Sequence, residues 1–428
     1  MELVLLTSAF LLAIAMSFDI ALAMILASAA LLLYTGIVPL HLIAEKAVSQ
    51  ISLFPLLAIP GFIVAGELMN VTGLTRALGE FARALVGRWT GGMGLATVLA
   101  CMIFGGMTGS GLAETVAIGT LMIPMLAEHG YPKSFSAAIV ASGGSLGPII
   151  PPSIPMVIYA SIAPTVSVAA LFVGGVVPGV LVGLGFMAVV AWRSRSIVKK
   201  GIASDEPAVP FWRIALRALP AVMVPVLILG GSLGGFVTVT EASVLAAVYV
   251  VLYGFIAGTV TWKALYRAAA NTATATGLFG FIIAAAGPFA FFLALYHAPE
   301  AVGNLLLTLS GGNADLLMVI LTIILLILGC MVEATSLVII LAPILAGTAA
   351  VAHIDQLHMA LVAITALMIG LFTPPVGTNL FAVVSIAGES IEKISREIVP
   401  FAIVAGVVVL ALALMPGLVL WLPHLLMK

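Results

Sequence analysis

LGPIIPPSIPMVIYASIA at residues 146–163 and IGLFTPPVGTNLFAVVSIA at residues 369–387 are one pattern written twice, with Pro151 and Pro374 set 223 positions apart. The stretches ahead of them also recur: FGGMTGSGLAE at 104–114 pairs with LGCMVEATS at 328–336, and each leads into an apolar segment carrying Pro124 or Pro343. Proline lacks an amide donor and clashes with the preceding turn, so each pair must interrupt a helix. Gly147 and Gly370, four residues ahead of each pair, add a point of free dihedral choice. A broken apolar segment repeated in two halves of a chain is characteristic of secondary transporters built from repeats.

Composition sets the medium. Of 428 residues 63% are hydrophobic and 8% charged, and the mean hydropathy is +1.30. A soluble chain of this size would need far more charged surface. Runs of about 20 residues suffice to span a bilayer, and they can be drawn near 17–35, 52–70, 168–192, 216–234, 239–258, 271–295, 315–331 and 397–422. With the shorter candidates the expectation is an all-α polytopic membrane protein of about eleven spans plus two re-entrant helical hairpins, near 133–164 and 357–388. The amino end runs apolar from Leu3 without a basic lead, which reads as an uncleaved first helix.

Arg193, Arg195, Lys199, Lys200, Arg213 and Arg217 cluster around the polar stretch SDEPAVP at 204–210, a cytoplasmic linker by the positive-inside rule. It divides the chain into a first half at 1–192, a linker at 193–217 and a second half at 218–428. TRALGEFARALVGRW at 75–89 and TWKALYRAAANTA at 261–273 read as amphipathic interfacial helices, with Trp89 or Trp262 as anchors. A net charge of −1 offers no footprint for nucleic acid.

A hairpin tip at membrane depth leaves backbone groups unpaired, which is tolerable only where they line a polar cavity or hold an ion. The sequence therefore predicts a cation at each tip. Hard cations such as sodium take oxygen ligands, and the tips offer carbonyls near Gly147, Ile150 and Ser153, and near Gly370, Thr373 and Val376. The segments around Gly105 and Gly329 face them as candidate unwound partners. Of the acidic residues in apolar surroundings, Glu114 and Glu333 adjoin these breaks and are read as supports for the unwound backbone. Glu67 and Glu241 are read as helix-end or subunit-facing. An ionised carboxylate at a helix centre costs about 2.5–3.5 kcal/mol on insertion scales, so such residues are rarely incidental.

Other chemistries lack motifs. Cys101 and Cys330 read as small apolar core residues, and the histidines form no ligand set. HExxH and P-loop patterns are absent, and the expectation is neither an enzyme nor an ATP-driven pump. Ser110 has no histidine or lysine nearby in sequence to make it a nucleophile. A re-entrant-loop channel and a sodium–proton exchanger using Glu114 or Glu333 stay open as alternatives.

GGMTGSGLAE, ASGGSLGPIIPPS, GCMVEAT and GLFTPPVGTN closely resemble signatures of the large membrane subunit (M, DctM-like) of TRAP transporters, and the resemblance runs over essentially the whole chain. It implies an inverted-repeat elevator-type ion-transporter fold in a bacterial inner membrane. It also implies sodium-driven, ATP-independent import, with a small four-helix Q subunit and a periplasmic substrate-binding P protein as partners. The solute it implies is a small organic acid: a C4-dicarboxylate, a sugar acid or sialic acid. Carried over by position, the sodium set is Gly105, Gly147, Ile150, Ser153, Gly329, Gly370, Thr373 and Val376. Solute-binding candidates near the tips are Ser110, Ser142, Ser145, Pro151, Pro152, Ser153, Thr335, Pro374, Pro375, Thr378 and Asn379, with Asn379 and Ser153 expected to face the solute. The second half has Ala334-Thr335-Ser336 where the first has GSG, so the two ion sites are not expected to be chemically identical.

Overall fold

The computed structural model describes residues 2–197 and 210–427. Among them the regular structure is all helix, without a strand, as backbone in hydrocarbon requires. Among the described residues nine helices are long and apolar enough to cross a bilayer, and six further apolar helices are shorter. The chain is thus a multi-pass membrane protein.

Both glycine-rich segments unwind between two helices. In the first half the helix Gly92–Thr108 loses helical geometry at Gly106, Gly109 turns left-handed at φ 60°, and a new helix runs from Gly111 to Glu128. In the second, Ala314–Met331 ends at an extended Val332, and Ala334–Val351 begins two residues later. Each break faces one proline pair. A Cβ added to Gly105 would stand 2.7 Å from the Gly147 Cα. One added to Gly370 would collide with the Gly329 backbone. Two cross-links tie the segments: the Ile154 amide donates to the Gly109 carbonyl at 3.4 Å, and the Val376 amide to the Cys330 carbonyl at 3.0 Å.

The first arm of each hairpin, Lys133–Gly144 or Gln356–Ile369, lies against both pieces of the broken helix in its own half. The second arms cross over. Ile154–Ile162 packs on Ala334–Val351, and Thr378–Ala387 packs on Gly111–Glu128 and Lys133–Gly144. The arms of a hairpin therefore lean chiefly on other helices, and the two halves interlock through their second arms.

Four expectations need correction. The segment 261–273 is no separate interfacial helix: it forms the opening turns of one continuous helix, Trp262–Leu295. Its Ala-rich run Ala268-Ala269-Ala270 gives the helix no reason to stop. The span drawn near 397–422 is two helices, Ile391–Leu414 and Pro416–Leu426. Pro416 pushes Met415 to φ −124°, ψ 74° and ends the first of them. The linker is shorter than 193–217, because helices run up to Ile197 and start again at Phe211. The residues around SDEPAVP at 198–209, with Lys199 and Lys200, lie outside those described. Glu67 does not mark a helix end: it accepts a 3.2 Å bond from Asn271 on Trp262–Leu295.

Other readings hold. Leu74–Val86 is amphipathic, burying the stripe Leu74, Leu78, Ala82 and Val86, while Arg76 pairs with Glu80 on the outside at 3.5 Å. Glu241 is a helix-end residue, closing a capping box with Thr238. Cys101 and Cys330 are free thiols, the first fully buried. His358 donates from Nε2 to the Leu412 carbonyl at 2.8 Å, a link between core helices.

The glycine contacts set a steric test. Gly370→Ala is expected to lower stability by about 1–3 kcal/mol through overpacking. Gly277→Ala, in a helix with open space around it, should raise it by up to about 1 kcal/mol. Thermal unfolding in detergent, comparing both variants with the parent chain, reads the difference.

Candidate functional site

The two tips are built alike and sit differently. At the first, residues 141–149 and 151–160 are buried throughout. Its cover is the helix Val168–Ile197, whose Gly175 faces the Ile149 carbonyl and whose Gly179 faces the Ile150 side chain. Gly175, Gly179 and Gly183 recur every fourth residue, the small-residue stripe that lets membrane helices approach closely. That stripe was legible in the sequence and had not been connected with the tip. At the second tip Pro374, Pro375 and Val376 are exposed, Val376 by 43%. Both proline pairs hold a cis peptide bond.

Ser153 is wholly buried, and its hydroxyl is occupied at both ends. It donates to the Pro148 carbonyl at 2.5 Å and accepts from the Met156 amide at 3.4 Å as the cap of Ile154–Ile162. The hydroxyl is engaged in holding the tip together. Ser145 donates to the Ser142 carbonyl at 2.7 Å. Thr373 matches this role at the second tip, donating to the Ile369 carbonyl at 2.7 Å. Asn379 lies at the junction of the halves: fully buried, it donates from Nδ2 to the Ala141 carbonyl at 3.2 Å, and its Oδ1 has no partner.

The structure separates two residues that sequence reasoning had paired. Glu333 stands at the break itself and caps Ala334–Val351, accepting the Thr335 amide at 2.9 Å and the Ser336 amide at 2.6 Å. Its positional counterpart is Ser110, the residue that opens Gly111–Glu128. Glu114 is one turn further in and fully buried, with no hydrogen bond of full geometry on either oxygen. It faces the Cys101 thiol and the backbone of Gly105 and Gly147.

The end of the first arm gathers these groups. Asn379 meets Ala141, Cys101 meets Gly143, Thr115 meets Gly144 and Glu114 meets Gly147. The hydroxyls of Thr115 and Ser142 are, like Glu114 and the Asn379 Oδ1, buried without partners. Buried polar atoms are nearly always bonded, so this concentration makes the end of the first arm the candidate site. Sequence reasoning missed Thr115 and assigned Cys101 to the core alone, because nothing in their local sequence places them against the tip. Thr378 and Thr335 are half-buried beside the second tip and second break, as is Ser110 beside the first. Among the described residues no group of three or more His, Cys, Asp or Glu comes together as a metal cluster.

Solved transporters share this architecture. The Alcanivorax borkumensis YdaH transporter superposes with a TM-score of 0.66 over 88% of this chain and 89% of its own, at 14% identity. Neisseria gonorrhoeae MtrF, described as illuminating a class of antimetabolite efflux pumps, superposes with a TM-score of 0.60 over 87% and 83%, at 16% identity. The family model for the DctM component of the tripartite ATP-independent periplasmic transporter matches residues 7–418. The chain is 36% identical to the isethionate TRAP transporter permease DctMQ of Oleidesulfovibrio alaskensis over 93% of its own length, spanning 63% of that longer protein. It is 36% identical to the C4-dicarboxylate TRAP large permease of Pseudomonas aeruginosa, covering 87% of this chain and 86% of that one. With the sialic acid TRAP large permease SiaM of Vibrio cholerae it shares 30% identity over 94% of each chain. The chain belongs to the DctM family, the large permeases of TRAP transporters.

The two acidic residues at the breaks should respond differently to substitution. Glu333→Ala is expected to cost about 1 kcal/mol of stability, the ordinary value of an N-cap. Glu333→Asn or Glu333→Ser should recover most of it. Denaturation in detergent across the three variants checks the assignment, and three equal losses would remove capping as its role.

Proposed function

We propose that this chain is the large membrane subunit of a sodium-coupled, ATP-independent importer of a small organic acid. It would work in a bacterial inner membrane with a Q-type small subunit and a periplasmic P-type binding protein that delivers the solute. The observation that carries this reading is the seating of each proline-pair tip against its own broken helix, with second arms exchanged between halves. That arrangement supports a repeated pair of cation sites around one solute site.

The sodium ligands would be backbone oxygens near Gly105, Gly147, Ile150 and Ser153 in one half, and near Gly329, Gly370, Thr373 and Val376 in the other. Residues 104–115, 142–156, 328–337 and 369–380 contain no Lys, Arg or His. An anionic solute would therefore rely on bound sodium and on helix N-termini, whose dipoles favour negative charge. The N-termini of Gly111–Glu128 and Thr378–Ala387 lie side by side, a Cβ on Gly111 reaching the Asn379 Nδ2 at 3.5 Å. The named relatives span isethionate, a C4-dicarboxylate and sialic acid. A carboxylate or sulfonate on a small polar body is the chemistry they share, and it suits this site.

An elevator motion fits the division of the molecule. The tips, arms and broken helices would move as one body against outer helices such as Val239–Ile256 and Trp262–Leu295. The contrast between a covered first tip and an exposed second tip supports access from one side at a time.

The test is uptake of labelled organic acids into liposomes holding this chain, its small partner and loaded binding protein, with and without an inward sodium gradient. Uptake that requires both sodium and the binding protein is the expected result. Flux independent of both would sink the coupled reading in favour of a channel, and uptake matched to proton export would favour an exchanger. In the same assay Asn379→Ala is expected to raise the half-saturating solute concentration by about tenfold, the loss of one hydrogen bond to a charged group. An unchanged value removes Asn379 from the solute site.

A further inference from the structure

Glu114 is the one fully buried carboxylate among the described residues, and neither of its oxygens makes a hydrogen bond of full geometry. No cationic side chain faces it: the Cys101 thiol and the Gly147 backbone are the polar groups that act on it. A buried carboxyl is protonated unless it is paired or bound to a metal ion, so as a charged group Glu114 needs a cation in contact with it. A water molecule could fill the lone pairs but would leave the charge uncompensated. The place is also held open by design of the backbone, since a Cβ on Gly147 would overlap Oε2 and one on Gly105 would stand 2.9 Å from it. Those are the two glycines at which tip and break meet.

The second tip has nothing equivalent. The residue 223 positions beyond Glu114 is Leu337, and the Glu333 carboxylate is already used by two backbone amides. The halves therefore match in backbone and differ in where their one carboxylate stands and in what it is free to bind.

We infer that Glu114 is the charge-bearing ligand of a monovalent cation at the first tip, and that the second tip holds its cation with neutral oxygens alone. The inference deepens the sodium-coupled reading and rests on it for the identity of the ion. A single carboxylate among carbonyls and hydroxyls suits a monovalent ion, because divalent calcium sites gather several carboxylates. The first site should bind sodium more tightly, since attraction between full charges in a dry interior exceeds that of carbonyl dipoles.

The two native cysteines provide a reporter beside each tip. Cys101 packs against Gly143, and Cys330 accepts the Val376 amide on its carbonyl. The purified chain with its small partner is treated with N-ethylmaleimide at rising sodium, choline holding ionic strength constant. Alkylation of each cysteine is followed separately by peptide mass spectrometry, in the parent chain, Glu114→Gln and Glu114→Asp. Sodium is expected to protect Cys101 in the parent chain. In Glu114→Gln the half-protecting concentration at Cys101 should rise by about tenfold or more, the usual scale for losing a ligand-shell interaction, with the Cys330 value unchanged. Glu114→Asp, which keeps the charge, should shift less.

Equal Cys101 values in the parent chain and Glu114→Gln, or equal shifts in both variants, would overturn the assignment. So would alkylation of Cys101 in the parent chain that proceeds at a measurable rate independent of sodium, a result that stands even if a variant fails to fold. Sodium-driven uptake combined with unchanged Cys101 protection sinks the ligand and leaves the transport reading. Sodium protection of Cys101 that depends on Glu114, combined with sodium-independent uptake, does the reverse.

Discussion

The organisation of this protein depends on two places where backbone meets backbone, Gly105 with Gly147 and Gly329 with Gly370. In a bilayer a helix may be interrupted only where another part of the protein takes up the freed amides and carbonyls. Each broken helix is met by the tip of a hairpin, and the lack of a side chain at all four positions lets them approach. The first arms hold the tips in register, and the second arms cross to the opposite half.

The cross-over has a mechanical consequence. Because Thr378–Ala387 packs on the first half's post-break helix and Ile154–Ile162 on the second's, neither tip can shift far without displacing the other half. Asn379 joins the two directly through the Ala141 carbonyl. In the proposed elevator motion such a core would move as one body, since close-packed interiors transmit displacement rather than absorb it.

Matching halves do not make matching sites. The first tip is covered by the glycine notch of Val168–Ile197 and flanked by a buried carboxylate, while the second is exposed and has its nearby glutamate committed to a helix cap. A few side chains thus turn a repeated backbone into two chemically distinct environments. One such difference lies at the cap position itself, which Ser110 occupies in the first half and the charged Glu333 in the second.

Much of this was legible in the sequence. The duplicated proline pairs, their glycines four residues upstream and the glycine-rich partners named both breaks, because proline and glycine act through local backbone geometry that any context must respect. Hydropathy named the solvent, and the basic residues along 75–89 with Trp89 at its end named an amphipathic helix, since such patterning is local too. What the sequence could not decide was which helices the hairpin arms lean on, that Glu114 and Glu333 are not counterparts, or that 261–273 continues into a long helix. Those outcomes depend on contacts between residues hundreds of positions apart, as with Asn379 and Ala141, and a burial that strips a carboxylate of partners exists only once several helices have closed around it. Local conformational limits were written in the chain; the surroundings of each charge were decided by tertiary packing.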